Sequence, residues 1–177
     1  AAPSLPRCSS RTLRQGPESI MPKHLEPSHA CACTSGKSYG DCCRPLLRGE
    51  REAPDAVAMM RSRFSAFALD YSAYLWRTLH PSHPDRARPE AEILRNFRRA
   101  SRTMEYRALS ILDSAGDAGR AQVLFLARVG DRGRDLSFLE RSDFLHDGTG
   151  WRYANGTVRP ATDFAAPEAT RFDTFAI

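Results

Sequence analysis

The chain has 177 residues, a formal net charge of +5, 41% hydrophobic residues and 27% charged residues. That length suits one domain with appendages, and the balance is that of an ordinary globular chain. A membrane-spanning helix is excluded, because the longest apolar run, Val123-Leu124-Phe125-Leu126-Ala127, falls far short of the ~18 residues a span needs.

Residues 1–28 carry Pro3, Pro6, Pro17, Pro22 and Pro27 among Ser and Arg, without periodicity. They are expected to form a disordered N-terminal extension. The chain begins with Ala1, and Met21 stands ten residues before a cysteine cluster. One expectation is therefore that the natural start is Met21; an organellar presequence is the runner-up. Cys8 is given no role. With no secretory signal and no span, the expected location is the cytoplasm.

Residues 29–49 hold the strongest chemical signal. Cys31, Cys33, Cys42 and Cys43 fall within thirteen residues, and four thiolates at this density suit a structural zinc site. Gly36 lies where the loop must turn back. Lys37 and Arg44 could offset the negative charge of the thiolates. Pro45 suits the first turn of a short helix through Leu46 and Leu47 that stops at Gly49. Two disulfides or four free thiols are the alternatives, and disulfides belong to oxidising compartments.

A short linker, residues 50–54, leads to a helix from Asp55, with Val57, Met60, Phe64, Phe67, Ala68 and Tyr71 at helical spacing. A second helical piece holds Tyr74, Leu75 and Leu79. Residues 80–89 contain three prolines and read as an irregular loop. A third helix starts at Pro89, with Ile93, Leu94 and Phe97 inward. Strands follow. Met104 to Leu112 is the first, with a slip in alternation at Ala108-Leu109 that suggests a bulge. Asp113–Gly119 is a turn. Gln122 to Val129 is near-continuously apolar, so both faces should be covered. Gly130–Gly133 turns the chain. Residues 135–145 put Leu136, Phe138, Glu140, Ser142 and Phe144 on one face. Asp147–Gly150 is a turn, and Trp151–Ala154 is a strand ended by Asn155-Gly156. Short turns between strands imply an antiparallel meander. Residues 160–177 are expected to be a flexible C-terminal tail, with docking of Phe172 and Phe175 on the body as the alternative. The fold class is α+β, helices packed on a curved antiparallel sheet, with a small N-terminal zinc knot.

Of the 26 basic residues all but Lys23 and Lys37 are arginine, which is a bias of composition. The densest run, Arg95, Arg98, Arg99, Arg102 and Arg107, reads as a solvated face. Specific nucleic-acid binding needs a concentrated basic face and is not expected.

Cys-x-Cys-x-Ser-Gly-x-x-Tyr-x-x-Cys-Cys, from Cys31 to Cys43, resembles the SEC-C zinc motif. The resemblance implies Cys31, Cys33, Cys42 and Cys43 as ligands. In the SecA translocation motor that motif binds zinc and contacts an export chaperone and the ribosome, which implies a protein or ribosomal partner here. Met60 to Phe67, Leu79-His80-Pro81, Phe138 to Ser142 and Gly150 to Tyr153 follow in an order that, with the knot, resembles the YchJ family across about residues 27–159. That family joins a SEC-C motif to a cone-shaped, cystatin-like domain resembling nuclear transport factor 2, which places the domain at residues 50–159. Phe64 and Phe67 stand where tyrosines are frequent in the family, and Asp143 where a basic residue is. Domains of this fold often pair through the open face of the sheet, so a homodimer is a further expectation.

Two readings compete. In the first, the knot docks a partner and the chain is an interaction module. In the second, the cone encloses a small-molecule enzyme site with isomerase- or hydratase-like acid–base chemistry. No catalytic set is assigned, and the candidates are Glu140 and His80. Glu140 shares the inward face, where burial would raise its pKa; a salt bridge to Arg61 or Arg63 is the structural alternative. His80, before Pro81, would sit near the mouth. His83 is expected to be more exposed. Trp151 and Tyr153 are read as core residues.

Overall fold

A computed structural model describes residues 24–175. Of the disordered extension expected over residues 1–28, the part through residue 23, with Cys8, lies outside those residues, while residues 24–28 are placed, with Leu25 buried. After the knot come helix α1 (Arg44–Leu47), α2 (Ala56–Ala68), α3 (Ser72–Arg77), a 3-10 turn (Pro84–Ala87) and α4 (Glu90–Thr103). The sheet follows as β1 (Glu105–Gly116), β2 (Arg120–Asp131), β3 (Arg134–Asp135), β4 (Phe138–His146) and β5 (Trp151–Pro160). Its order is β1-β2-β4-β5, with β3 paired to β2. The pairings between these strands are antiparallel, so the α+β meander read from the turns is the observed one, and a lone parallel bridge ties Leu79 to Tyr153.

Helix α2 is the central element. The Asp55 side chain caps it, accepting from the Ala58 amide at 2.7 Å, which satisfies one of the orphan donors of the first turn. Buried residues occur on nearly every side of it, because it lies between the knot and the sheet. Helix α4 is amphipathic and buries Ile93, while Arg95, Arg98, Arg99 and Arg102 are exposed along its outer side.

Bulges bend the sheet. The β1–β2 register shifts between Tyr106 and Ala108, one residue from the slip expected at Ala108-Leu109, and again between Ile111 and Asp113. A third shift separates Asp143 from Phe144 in the β4–β5 pairing. Extra residues of this kind increase local twist and curvature, and the curved sheet leaves a hollow beneath the helices. Strand β2 is covered on both faces. Val123, Phe125, Ala127 and Val129 join the core under the helices, and Leu124 and Leu126 join a second core with Leu139.

Two expectations are corrected. Strand β5 does not stop at Asn155-Gly156; it runs on to Pro160, with Gly156 opposite Ser142 and Val158 opposite Glu140. The C-terminal segment is not loose through Phe175. It crosses the outer face of the sheet in two 3-10 turns, Ala161–Asp163 and Pro167–Ala169. Phe175 is 2% exposed and joins Leu124, Leu126, Leu139 and Ala161, with its ring stacked on Phe164 at 5.8 Å. The face expected to be open for self-pairing is thus covered from within the chain.

Candidate metal centre and cavity

The knot folds around its own backbone. The Cys31 amide donates to the Lys37 carbonyl at 2.9 Å, the Thr34 amide to Cys31, and the Tyr39 amide to His29. Gly36 takes φ of +81°, as the turn requires. The knot starts earlier than residue 29: Leu25 is buried, and the Gly40 amide donates to the Pro27 carbonyl. Helix α1 then carries Cys43 and the buried Leu46 and Leu47 inward.

All four sulfur atoms, of Cys31, Cys33, Cys42 and Cys43, lie within 4.8 Å of one another. None forms a disulfide. Cys33 and Cys42 are separated by 3.6 Å, and Cys42 and Cys43 by 3.7 Å. A tetrahedron of sulfurs about 2.3 Å from a central ion has edges of about 3.8 Å. The residues present therefore fit a metal ion. As bare thiols they are frustrated: the Cys43 thiol beside Cys42 pulls it down to about 6, while Cys33 pushes Cys31 up to about 11. A cation held there would remove that conflict by taking all four as thiolates. The Ser35 hydroxyl reaches the Cys42 sulfur at 3.2 Å and the Ser65 hydroxyl the Cys31 sulfur at 3.7 Å, so two hydroxyl donors stand ready for sulfur charge.

Ser65 belongs to α2, and the knot is fused to the domain at several further points. Arg61 donates to the Cys33 carbonyl at 3.1 Å. Thr34 carries the tightest link: its hydroxyl donates to the Leu109 carbonyl and accepts from the Leu109 amide, both at 3.0 Å. It does so at φ of +53°, a strained setting for a β-branched residue. Leu109 lies on β1, the edge strand, so the knot takes up part of that free edge. Cys31, Cys33, Cys43 and Tyr39 belong to the same core as Met59, Phe64 and Phe125.

The second feature is a cavity of about 370 Å³ between the helices and the curved sheet. Phe67 and Tyr106 stack at 5.7 Å along its wall, and Phe67 meets Phe97 edge-on at 5.7 Å. Glu140 is on its floor, 9% exposed. Its Oε1 accepts from the Ser142 hydroxyl at 2.6 Å and the Tyr153 hydroxyl at 2.8 Å. Burial pushes the Glu140 carboxyl above its ordinary range, and the hydroxyls and Arg63 only partly oppose that. A carboxyl shifted in that direction holds its proton to higher pH than an exposed one. Gly156 makes the seat possible, since a Cβ there would collide with the Glu140 carboxylate and the Tyr153 hydroxyl.

Over residues 55–156 the chain matches the family described as YchJ, middle NTF2-like domain. The chain belongs to the YchJ family. It is also similar to a SEC-C motif containing protein from Rhodopseudomonas palustris, at 33% identity over 73% of this chain and 98% of that one, with a TM-score of 0.64. A SEC-C motif containing protein from Psychrobacter arcticus is 21% identical over 75% of this chain and 84% of that one, with a TM-score of 0.61, a likeness that shows the fold.

In this YchJ-family chain the salt bridge considered for Glu140 is replaced by hydroxyl contacts. Arg61 turns to the knot. Arg63 donates through Nη1 to the Leu75 carbonyl at 3.0 Å and the Thr78 hydroxyl at 2.6 Å, and its guanidinium lies 4.7 Å over the Tyr153 ring. His80 does not line the cavity; its Nδ1 is bonded to the Ser82 hydroxyl at 2.7 Å. His83 lines it instead, packed on Tyr153 at 5.5 Å. Burial lowers the His83 pKa despite Asp85. Its Nδ1 accepts from the Asp85 amide at 3.1 Å, which leaves the proton of the neutral ring on Nε2. Sequence reading missed Thr34, the cavity position of His83, and Gly156. The Leu79-His80-Pro81 signature drew attention to the wrong histidine, and the two prolines flanking His83 were the available signal for the turn that folds it back.

Proposed function

We propose that the chain binds a small apolar molecule in the cavity, and that a zinc ion held by Cys31, Cys33, Cys42 and Cys43 keeps the knot locked to the binding domain. The observation that carries this is the cavity itself: an aromatic hollow of ligand size whose floor seats the buried Glu140 and Arg63 and the half-buried Tyr153. Zinc is favoured because four thiolates make a closed structural site with no open position for water. Thiolate ligands suit a reducing compartment, which supports the cytoplasm. The test uses Ala100, which lines the cavity from α4. Small aromatic compounds should raise the thermal midpoint of the intact chain, and Ala100→Trp, which fills the hollow, should abolish the shift. An equal shift in both proteins would sink the reading. Native mass spectrometry should show one zinc per chain.

A second reading, partner docking at the knot, is favoured by one observation. A hollow of about 380 Å³ lies between the knot and α2, beside the half-buried Cys42, and is lined by Lys37, Asp41, Arg51 and Arg61. Mutating the cysteines would disturb the shared core, so charge reversal at Lys37 and Arg51 is the cleaner probe. Co-sedimentation with purified ribosomes should then fall; unchanged co-sedimentation, or none by the intact chain, removes this reading.

A further inference from the structure

Arg63 presents an unusual problem. It is 5% exposed, and burial works against its charge, yet an arginine stays protonated. No carboxylate lies within 4.0 Å of it among the described residues, and Glu140, which also lines the cavity, is engaged with Ser142 and Tyr153. One face of the guanidinium is covered by the Tyr153 ring. One nitrogen, Nη1, is held by Leu75 and Thr78. The opposite edge, Nε and Nη2, has no hydrogen-bond acceptor among the described residues, and Arg63 lines the cavity. That edge carries parallel N–H groups in the geometry that receives a carboxylate side-on. Phe64, Phe67, Phe97, Phe125, Phe138 and Met104 make most of the remaining lining apolar. Its other polar members are Tyr106, Tyr153, His83, Glu140 and Asp85, the last paired with Arg88 at 3.0 Å.

We propose that the cavity is selective for a small apolar carboxylate, with its head on the Nε–Nη2 edge of Arg63 and its body among the phenylalanines. The proposal rests on the cavity being a ligand site and names the ligand's class. A buried cation with no carboxylate in contact is costly, since Glu140 acts on Arg63 only from a distance, and a single carboxylate on the free edge neutralises it without further charge. Glu140 sits on the same floor with its carboxyl engaged by Ser142 and Tyr153, and burial disfavours its charge. A neutral side chain there should therefore serve as well.

The test compares 3-phenylpropanoate with its neutral and cationic counterparts, 3-phenylpropanol and 3-phenylpropylamine, by calorimetry on the intact, zinc-loaded chain. The carboxylate should bind at least about tenfold more tightly than either. Glu140→Gln should keep or improve that affinity, and Ala100→Trp should remove it. If the alcohol binds as well as the acid, or the amine binds best, the carboxylate assignment is overturned while the cavity remains a ligand site. If none of the three binds, both fall. Because Arg63 also ties α2 to α3, Arg63→Gln is judged only where its unfolding midpoint stays near that of the intact chain; retained tenfold preference in such a variant would likewise overturn the proposal.

Discussion

At the scale of single residues, Glu140 is a carboxyl on which burial and hydrogen bonding pull in opposite directions, and burial wins. The consequence for stability has a definite sign. With the folded pKa raised above its ordinary value of 4.5, the folded state holds the proton to higher pH than the unfolded chain does. The stability contributed by the protonated group is therefore complete below that ordinary value and is lost as pH rises through the folded value. Glu140→Gln cannot lose a proton, so denaturant midpoints should show the intact chain falling relative to Glu140→Gln as pH rises above 4.5. Parallel pH profiles would mean that Glu140 is ionised throughout. Gly156 is the matching steric case. Gly156→Ala forces the Glu140 carboxyl off its hydroxyl partners and should cost about 1–3 kcal/mol, read by the same melts. Asn155-Gly156 looks like a turn in the sequence, which is why β5 is expected to stop there. The glycine is needed for room beside a carboxylate on the neighbouring strand, and local sequence cannot show that neighbour.

At the scale of elements, the knot is a wedge between α2 and the β1 edge. Thr34→Val keeps the shape of the side chain but cannot exchange hydrogen bonds with Leu109, so it should lower stability by about 1–3 kcal/mol. A surface change at Lys37 should stay within about 0.5 kcal/mol. Removing the metal should loosen the domain and the knot together, because the cysteines share the core of Met59 and Phe64. A single unfolding transition at lower temperature in chelator is expected; a domain transition untouched by chelator would show the knot to be an independent module. Much at this scale is legible in the sequence. Asp55 marks the start of α2, four clustered cysteines mark the centre, and the apolar run at Val123 marks a strand covered on both sides. What is not legible is the fusion: Thr34 and Leu109 are 75 residues apart, and nothing local in either predicts the bond.

At the scale of the whole molecule, the C-terminal segment closes the outer face of the sheet while the helices close the inner one. Phe172 and Phe175 lie in a stretch without periodicity, so their docking is visible only once Leu124, Leu126 and Leu139 are seen to need cover. A chain ending at Pro160 would expose those leucines, and sheet faces of that kind associate. Sedimentation velocity should find the shortened chain self-associating more strongly than the full one; identical profiles would show that the segment shields nothing of consequence. With both faces of the sheet covered, the hollow between helices and sheet is where a molecule can meet Glu140, Arg63 and His83. The central claim, that this hollow is the ligand site, is tested most directly by methyl NMR of methionine. Met60 and Met104 line the cavity, whereas Met59 is 1% exposed in the core and outside that lining. On titration with 3-phenylpropanoate, the Met60 and Met104 methyl signals should move together and saturate, with Met59 moving little. Saturating shifts confined to other methyls, or none at Met60 and Met104, would contradict it.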